Sequence, residues 1–361
     1  TGLIILVVII MGITALINKY TPTKKTEDLK EYFNISSDDE AALIVDNELS
    51  DYKAKIIDKK IYVDYKFVHD SLNSRFYWDA NENVLLYTTA SDIISAAADS
   101  NSYSVTKQTN DFGYPIVKAT SDSALIALDY VKQYSNITFK SYDDPARIVI
   151  TSKWDEIDSA TVSKSTQVRV KGGIKSPILK EVKNDDKITI LDSGDKWDKI
   201  ATEDGVIGYI KRKALSESKK TKLTNPDYEE ETFTHIKKDK DICLAWNQVT
   251  SQSANSKVPQ VISSTKGINV MSPTWFYLND NNGNLADIAS KDYVSYCHSQ
   301  GIEVWGLFSN FENTDVDAAY VLTHTSTRTT LINQIMSAAF NYELDGVNID
   351  FENITEAAYG D

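Results

Sequence analysis

The run Leu344-Asp345-Gly346-Val347-Asn348-Ile349-Asp350-Phe351-Glu352 decides how the carboxyl-terminal third of this chain is read. Its side chains alternate with the period of a β-strand, which places Asn348, Asp350 and Glu352 on one face and Val347, Ile349 and Phe351 on the other. An amide and two carboxylates at successive positions of one covered face are costly unless they are fully hydrogen-bonded or functional. Upstream, DICLAWNQ (241–248), GINVMSPTWFYL (267–278) and IEVWGLFSN (302–310) read as further strands. Residues 287–299 and 329–341 carry apolar side chains at helical spacing, among them Leu331, Ile335 and Ala338, whereas 249–266 is mostly polar and reads as a long loop with a short helix. Apolar strands separated by covering helices predict a parallel α/β unit.

The last strand resembles the signature of glycoside hydrolase family 18, D-x-x-D-x-D-x-E with glycine after the first aspartate. Here it reads DGVNIDFE, with Asn348 in place of the usual aspartate. The resemblance spans residues 232–361 and implies the front half of a TIM (β/α)8 barrel, with the active site at the carboxyl ends of the strands. It implies that Glu352 is the general acid and that Asp350 orients the substrate acetamido group, whose own oxygen forms the intermediate. Asn348 can donate to Asp350 but cannot share a proton with it. Asp345, near the start of the strand, is expected to support the base of this network or merely to bind a backbone N–H.

The same resemblance implies a β-1,4-linked N-acetylglucosamine glycan, peptidoglycan or chitin-like, as substrate and partner. Trp275, Tyr277 and Trp305 are expected either to stack on sugar rings or to pack the barrel, and Asn310 to bind substrate together with Ser309. No cofactor is implied. No metal is implied either, since His298 and His324 have neither mutual ligand spacing nor a nearby carboxylate set. A noncatalytic cell-wall glycan-binding or structural protein is the alternative, and the presence of both Asp350 and Glu352 argues against it. Four strand candidates precede Asp361 where the barrel needs eight, so the chain as written is expected to be truncated and poorly active.

Residues 33–155 carry a weak duplication in which Phe67 and Val68 match Tyr130 and Val131, Phe76 matches Phe139, and Leu85 and Tyr87 match Ile148 and Ile150. Each copy reads as strand, short helix, strand, acidic turn and strand. The pattern resembles the amino-terminal domain of copper amine oxidases, an α+β unit also attached to bacterial surface enzymes. His69 is the only histidine in the region and no metal set accompanies it.

Residues 166–215 hold short alternating strands broken by Asn184-Asp185-Asp186, Ser193-Gly194 and Asp204-Gly205, as expected for a small all-β barrel. They resemble the bacterial SH3-like domain through VRV at 168–170, Trp197, Asp204-Gly205 and Gly208-Tyr209, and this implies contact with the cell wall. Residues 216–231 are charged, contain Pro226 and read as a linker. The expected organisation is therefore multidomain.

The 361 residues suffice for two or three domains, and 42% hydrophobic with 25% charged residues argue against a disordered chain. The net charge of -14, from 52 acidic and 38 basic residues, disfavours nucleic acid as a partner. Cys243 and Cys297 lack C-x-x-C spacing and read as buried free thiols. Leu3 to Ile17 carries no charge, so residues 1–18 read as part of a transmembrane signal anchor that would attach the protein to a bacterial membrane. Lys19, Lys24, Lys25 and Lys30 would by themselves favour an inside location for the downstream domains. The resemblances instead imply the extracellular side of the membrane, at the cell surface or wall.

Overall fold

Alternating apolar residues along 40–64 close into a meander of Glu40–Val45, Glu48–Ile57 and Lys60–Asp64, the centre of a seven-stranded sheet. Its two-residue turns place Asp46, Asn47, Asp58 and Lys59 at positive φ, the backbone that lets paired strands keep their twist. The computed structural model describes residues 2–359. They form two units, one holding the residues up to Tyr77 with Leu85–Thr232, the other Trp78–Val84 with Phe233 onward. The architecture is multi-sheet and of mixed α/β content.

In the first unit the expected duplication appears as a repeated order of elements. Lys60–Asp64, Tyr65–Phe67, Phe76–Asp79 and Val84–Thr88 are echoed by Ala124–Ala127, Leu128–Tyr134, Thr138–Tyr142 and Arg147–Thr151. The copies differ in pairing. The later pair of strands joins the seven-stranded sheet, with Ala42–Val45 parallel to Arg147–Ile150, whereas the earlier pair belongs to a separate five-stranded sheet.

The strands of 166–215 also lie in a seven-stranded sheet, but it extends beyond those boundaries at one edge. Glu156–Thr161 pairs with Lys187–Asp192 on one side and with Lys219–Lys222 on the other. The start of the expected linker is thus a strand, because the otherwise open edge of Glu156–Thr161 needs hydrogen-bond partners. The segments 33–155 and 166–215, expected as two domains, pack together within this unit. Phe33, Ala42 and Ile44 share one buried cluster with Val168, Ile188, Ile200 and Ile210. Arg147 is tied to Asp204 through an ion pair and a 2.6 Å bond from Nε to the Asp204 carbonyl.

Gly2–Tyr20 is helical. Among the described residues no helix is long and apolar enough to cross a membrane, so the anchor expectation gains no support. Thr1 and the side chains of residues 2–9 and 15, on which much of that expectation falls, lie outside the described residues.

The second unit has Leu244–Asn247, Val270–Leu278, Glu303–Ser309 and Gly346–Asp350 as adjacent parallel strands, with Leu285–Asp287 antiparallel on the second. Lys291–Ser299 and Thr325–Tyr342 connect them, and the polar 249–266 stretch contains the short helix Val258–Ser263. Met271, Phe276, Val304 and Phe308 bury one sheet face against Tyr293, Val294, Cys297 and Ala338 of the helices. Phe276 and Phe308 stack with ring centres 4.4 Å apart. Cys297 is buried as expected and burial pushes its thiol up to about 12, but Cys243 is exposed because the Leu244–Asn247 strand begins only after it.

Two devices fix the long helix Thr325–Tyr342. Gly283 has φ +82°, and a Cβ there would lie 2.2 Å from the Thr327 carbonyl oxygen, so only glycine allows this turn to approach the helix. The helix start lacks a side-chain cap of its own, since His324 precedes it. Buried Asp79 supplies one, accepting from the Thr325 amide at 2.7 Å and its hydroxyl at 2.6 Å, while Glu82 accepts from the Ser326 amide at 2.8 Å. Burial opposes ionisation of Asp79, yet the bonds from Thr325, Glu82 and Asn81 outweigh it and hold the carboxyl below its ordinary range.

Candidate functional site

Parallel pairing sets which side chains share the sheet face opposite the helices. Asp350 pairs with Ser309, and Ser309 with Tyr277, so these three form a row across the carboxyl end of the strands. One row below, Asn348 pairs with Leu307 and Leu307 with Thr274. Side chains paired in register across parallel strands point to the same face. The alternation read from the sequence thus holds for Asn348 and Asp350. Val347 packs on the helix-covered core, while Ile349 on the same face is 54% exposed.

The strand ends at Asp350, so Phe351 and Glu352 lie just past it. Phe351 packs against Leu278, Val321 and Leu331. The Glu352 backbone is clamped by Asn310, whose Oδ1 accepts from the Glu352 amide at 2.7 Å and whose Nδ2 donates to its carbonyl at 2.9 Å. Asn353 then turns the chain at φ 54°. The Glu352 side chain is exposed, and neither its carboxylate nor that of Asp350 has a hydrogen-bonding or ion-pair partner among the described residues. Asn348 directs Nδ2 to the Ser272 hydroxyl at 3.1 Å.

Several expected site residues are placed elsewhere or otherwise engaged. Asp345 sits at the opposite end of the strand, about 23 Å of extended chain from Glu352. It accepts from the Val304 amide at 2.8 Å and meets His298 Nε2 at 2.8 Å, which also gives His298 a carboxylate the sequence did not reveal. Asp345 thus binds a backbone N–H at the start of the strand, one of the two roles expected for it. Trp275 is fully buried, donates from Nε1 to Asn255 at 2.8 Å and packs edge-on to Tyr293, so it is core and not a sugar platform. A strand irregularity between Thr274 and Phe276 turns it toward the helices.

Trp305 is on the open face, but its backbone partner is Gly346, near the amino end, and its Nε1 donates to Glu303 at 3.0 Å. Its indole lies over Gly346, where a Cβ would come within 2.8 Å of the ring, and this explains the glycine after Asp345. Asn310 makes one bond from each amide atom to the Glu352 backbone and so positions it. Tyr277 stays in the row with Asp350, half-buried.

The structure adds two residues not singled out beforehand. Trp246 pairs with Ser272, lies on the open face and is 70% exposed. Its place in the LAWN run, one alternate position from Leu244, was the available signal. Glu312 receives the buried Ser309 hydroxyl, with its two carboxylate oxygens 2.6 and 2.7 Å away. It lies only three residues after the third strand, but the loop that folds it back is a tertiary feature.

No family model and no curated protein matches the chain. Among solved structures, the chain is similar to the spore cortex-lytic enzyme SleL of Bacillus cereus, with 16% identity over 37% of this chain and 33% of that one and a TM-score of 0.28. It is similar also to a chitinase from Chromobacterium violaceum ATCC 12472, with 17% identity over 31% of this chain and 35% of that one and a TM-score of 0.25. The chain thus spans about a third of the length of these structures. At such scores the likeness carries no weight for fold or activity, which rest on the geometry above.

Proposed function

We propose that the carboxyl-terminal unit supplies the acid and the acetamido-orienting group of a retaining hydrolase acting on β-1,4-linked N-acetylglucosamine glycans, peptidoglycan or chitin-like, outside the cell. One observation supports this reading above the others. Asp350 and Glu352 stand at the carboxyl end of parallel strands with carboxylates that have no partner among the described residues, while the Glu352 backbone is held from both sides by Asn310. Carboxylates kept free on a fixed backbone are suited to substrate.

In the proposed reaction the Glu352 carboxylic acid protonates the glycosidic oxygen as the C–O bond breaks. The acetamido carbonyl oxygen of the substrate closes on the anomeric carbon, giving an oxazolinium ion, and Asp350 accepts the acetamido N–H and offsets the positive charge. Glu352, now a carboxylate, takes a proton from water, which opens the ring on the same face and yields retention. Asn348, an amide bonded to the Ser272 hydroxyl, cannot share a proton, so Asp350 works without one from below. Exposed Trp246 offers a sugar-stacking surface on the same face.

Cleavage of N-acetylglucosamine oligomers by the full-length protein, followed by NMR of the first-formed anomer, tests the reading. A β product from a β linkage is expected. An α product, or glycan binding with no cleavage, would replace it with an inverting enzyme or with the noncatalytic glycan-binding protein.

A further inference from the structure

The cations of this acidic chain are unevenly placed. Around Trp197 an open groove of about 600 Å³ is lined by Lys196, Lys211, Arg212 and Lys213, with Asp195 as its one carboxylate. Lys171 lines the adjoining groove, which also contains Trp197. The ion pairs nearby run from Lys180 and Arg147 to Asp204 and from Lys220 to Asp158, and none of the five groove cations makes one among the described residues. The surface is rigidly built. The Arg212 amide donates to the Lys196 carbonyl at 3.1 Å, Arg212 Nη1 donates to the Gly194 carbonyl at 2.9 Å, and Lys211 Nζ lies 5.8 Å from the centre of the Trp197 ring.

A second, independent feature adjoins it. Ile174 lines the groove, and the next residue, Lys175, donates from Nζ to the Thr21 carbonyl at 2.7 Å and to the Asn18 carbonyl. The Thr23 amide bonds to the Ile174 carbonyl at 2.8 Å. These bonds fasten the groove's edge to the end of the Gly2–Tyr20 helix, on which Ile10, Met11, Ile13, Leu16 and Ile17 are each more than half exposed. An exposed apolar helix that ends beside lysines, an arginine and a tryptophan matches the layering of a lipid surface: acyl chains, then headgroups.

We propose that this face docks on an anionic lipid surface, with the apolar helix entering the acyl region and the Trp197 groove taking the negatively charged headgroups. A soluble polyanion or a peptidoglycan strand would use the lysines but would leave the adjoining apolar helix without a partner, and this favours lipid. Docking here would bring the sheet of 156–222 against the bilayer.

The test is flotation of the full chain with vesicles of phosphatidylcholine alone or with about 30 mol% phosphatidylglycerol, at low and high salt. The helix contributes to both vesicles and Lys19, Lys24 and Lys25 beside it favour the anionic ones, so the groove is read by what its own lysines add to the preference. The wild type should prefer the anionic vesicles by at least ~10-fold at low salt and lose most of that preference at high salt. The exposed triple variant K171E/K196E/K213E should bind the neutral vesicles as before and reduce the preference to within about 2-fold. Equal binding of the wild type to both vesicles, or an undiminished preference in the variant, would overturn the proposal. So would a charge-dependent retention on purified peptidoglycan or polyphosphate that the variant loses while keeping its vesicle preference. Single variants K171E and K196E, each expected to lower the preference in part, carry the test if the triple variant does not fold, and an undiminished preference in both would equally overturn the proposal.

Discussion

The two ends of the Gly346–Asp350 strand carry the same chemical group in opposite situations. At the amino end Asp345 is satisfied by the Val304 amide and by His298, and so ties the strand to its neighbour and to the Lys291–Ser299 helix. At the carboxyl end Asp350 and Glu352 hold no protein partner among the described residues, although the backbone around Glu352 is firmly bonded on both sides. A carboxylate with its acceptor sites filled contributes to stability. One left open on a fixed backbone contributes nothing to folding and is available to a ligand.

The largest expected break in this comparison comes from Glu352→Gln. On the proposed function, turnover of an N-acetylglucosamine oligomer should fall by at least ~100-fold with the urea midpoint unchanged, because the lost group acts only in the chemical step. Near-normal turnover would remove Glu352 from its assigned role. Asp345→Ala should do the reverse. It leaves the Val304 amide without its side-chain acceptor and should cost roughly 1–3 kcal/mol in urea unfolding, with activity lost only in proportion to the folded fraction. A loss of turnover in fully folded Asp345→Ala would give that residue the other role expected for it, support of the network.

Gly346→Ala sharpens the contrast further. A methyl group there meets the base of the Trp305 indole at 2.8 Å, and since that ring is also held by its bond to Glu303, the expected cost is roughly 1–3 kcal/mol by thermal or urea unfolding. The smallest effect is pH-dependent. Asp79 has a folded pKa held below its unfolded value, so its contribution is fully present above the unfolded value of about 4 and is lost as pH falls through the folded one. Asp79→Asn should therefore lower stability at neutral pH and flatten the acid limb of the stability profile below about pH 4, where the two proteins should converge. Parallel acid limbs would show that another group carries that slope.

Much of the second unit was legible because its signals are local. Period-two alternation in DGVNIDFE, apolar runs at 267–278 and 302–310 and helical spacing at 329–341 each reflect backbone geometry, and the strands and helices stand where those patterns put them. Alternation failed where the backbone departs from regularity. The irregularity before Phe276 turned Trp275 into the core, and the end of the strand at Asp350 left Glu352 to be held by Asn310 instead of by a neighbouring strand.

In the first unit, too, the element order of the duplication was written in the chain, but its sheet partners were not. Lys219–Lys222 looks like a linker by composition and is a strand because Glu156–Ser159 has an edge to fill. By itself, then, the sequence determined element types, their order and the face on which Asn348 and Asp350 stand, since these depend on spacing within a few residues. The tertiary structure alone decided which carboxylates are spent and which are free, and which aromatic rings are core. Those outcomes depend on partners such as Val304, Asn255 and Asn310, which lie 20 to 42 positions away and are brought near only by the paired sheet.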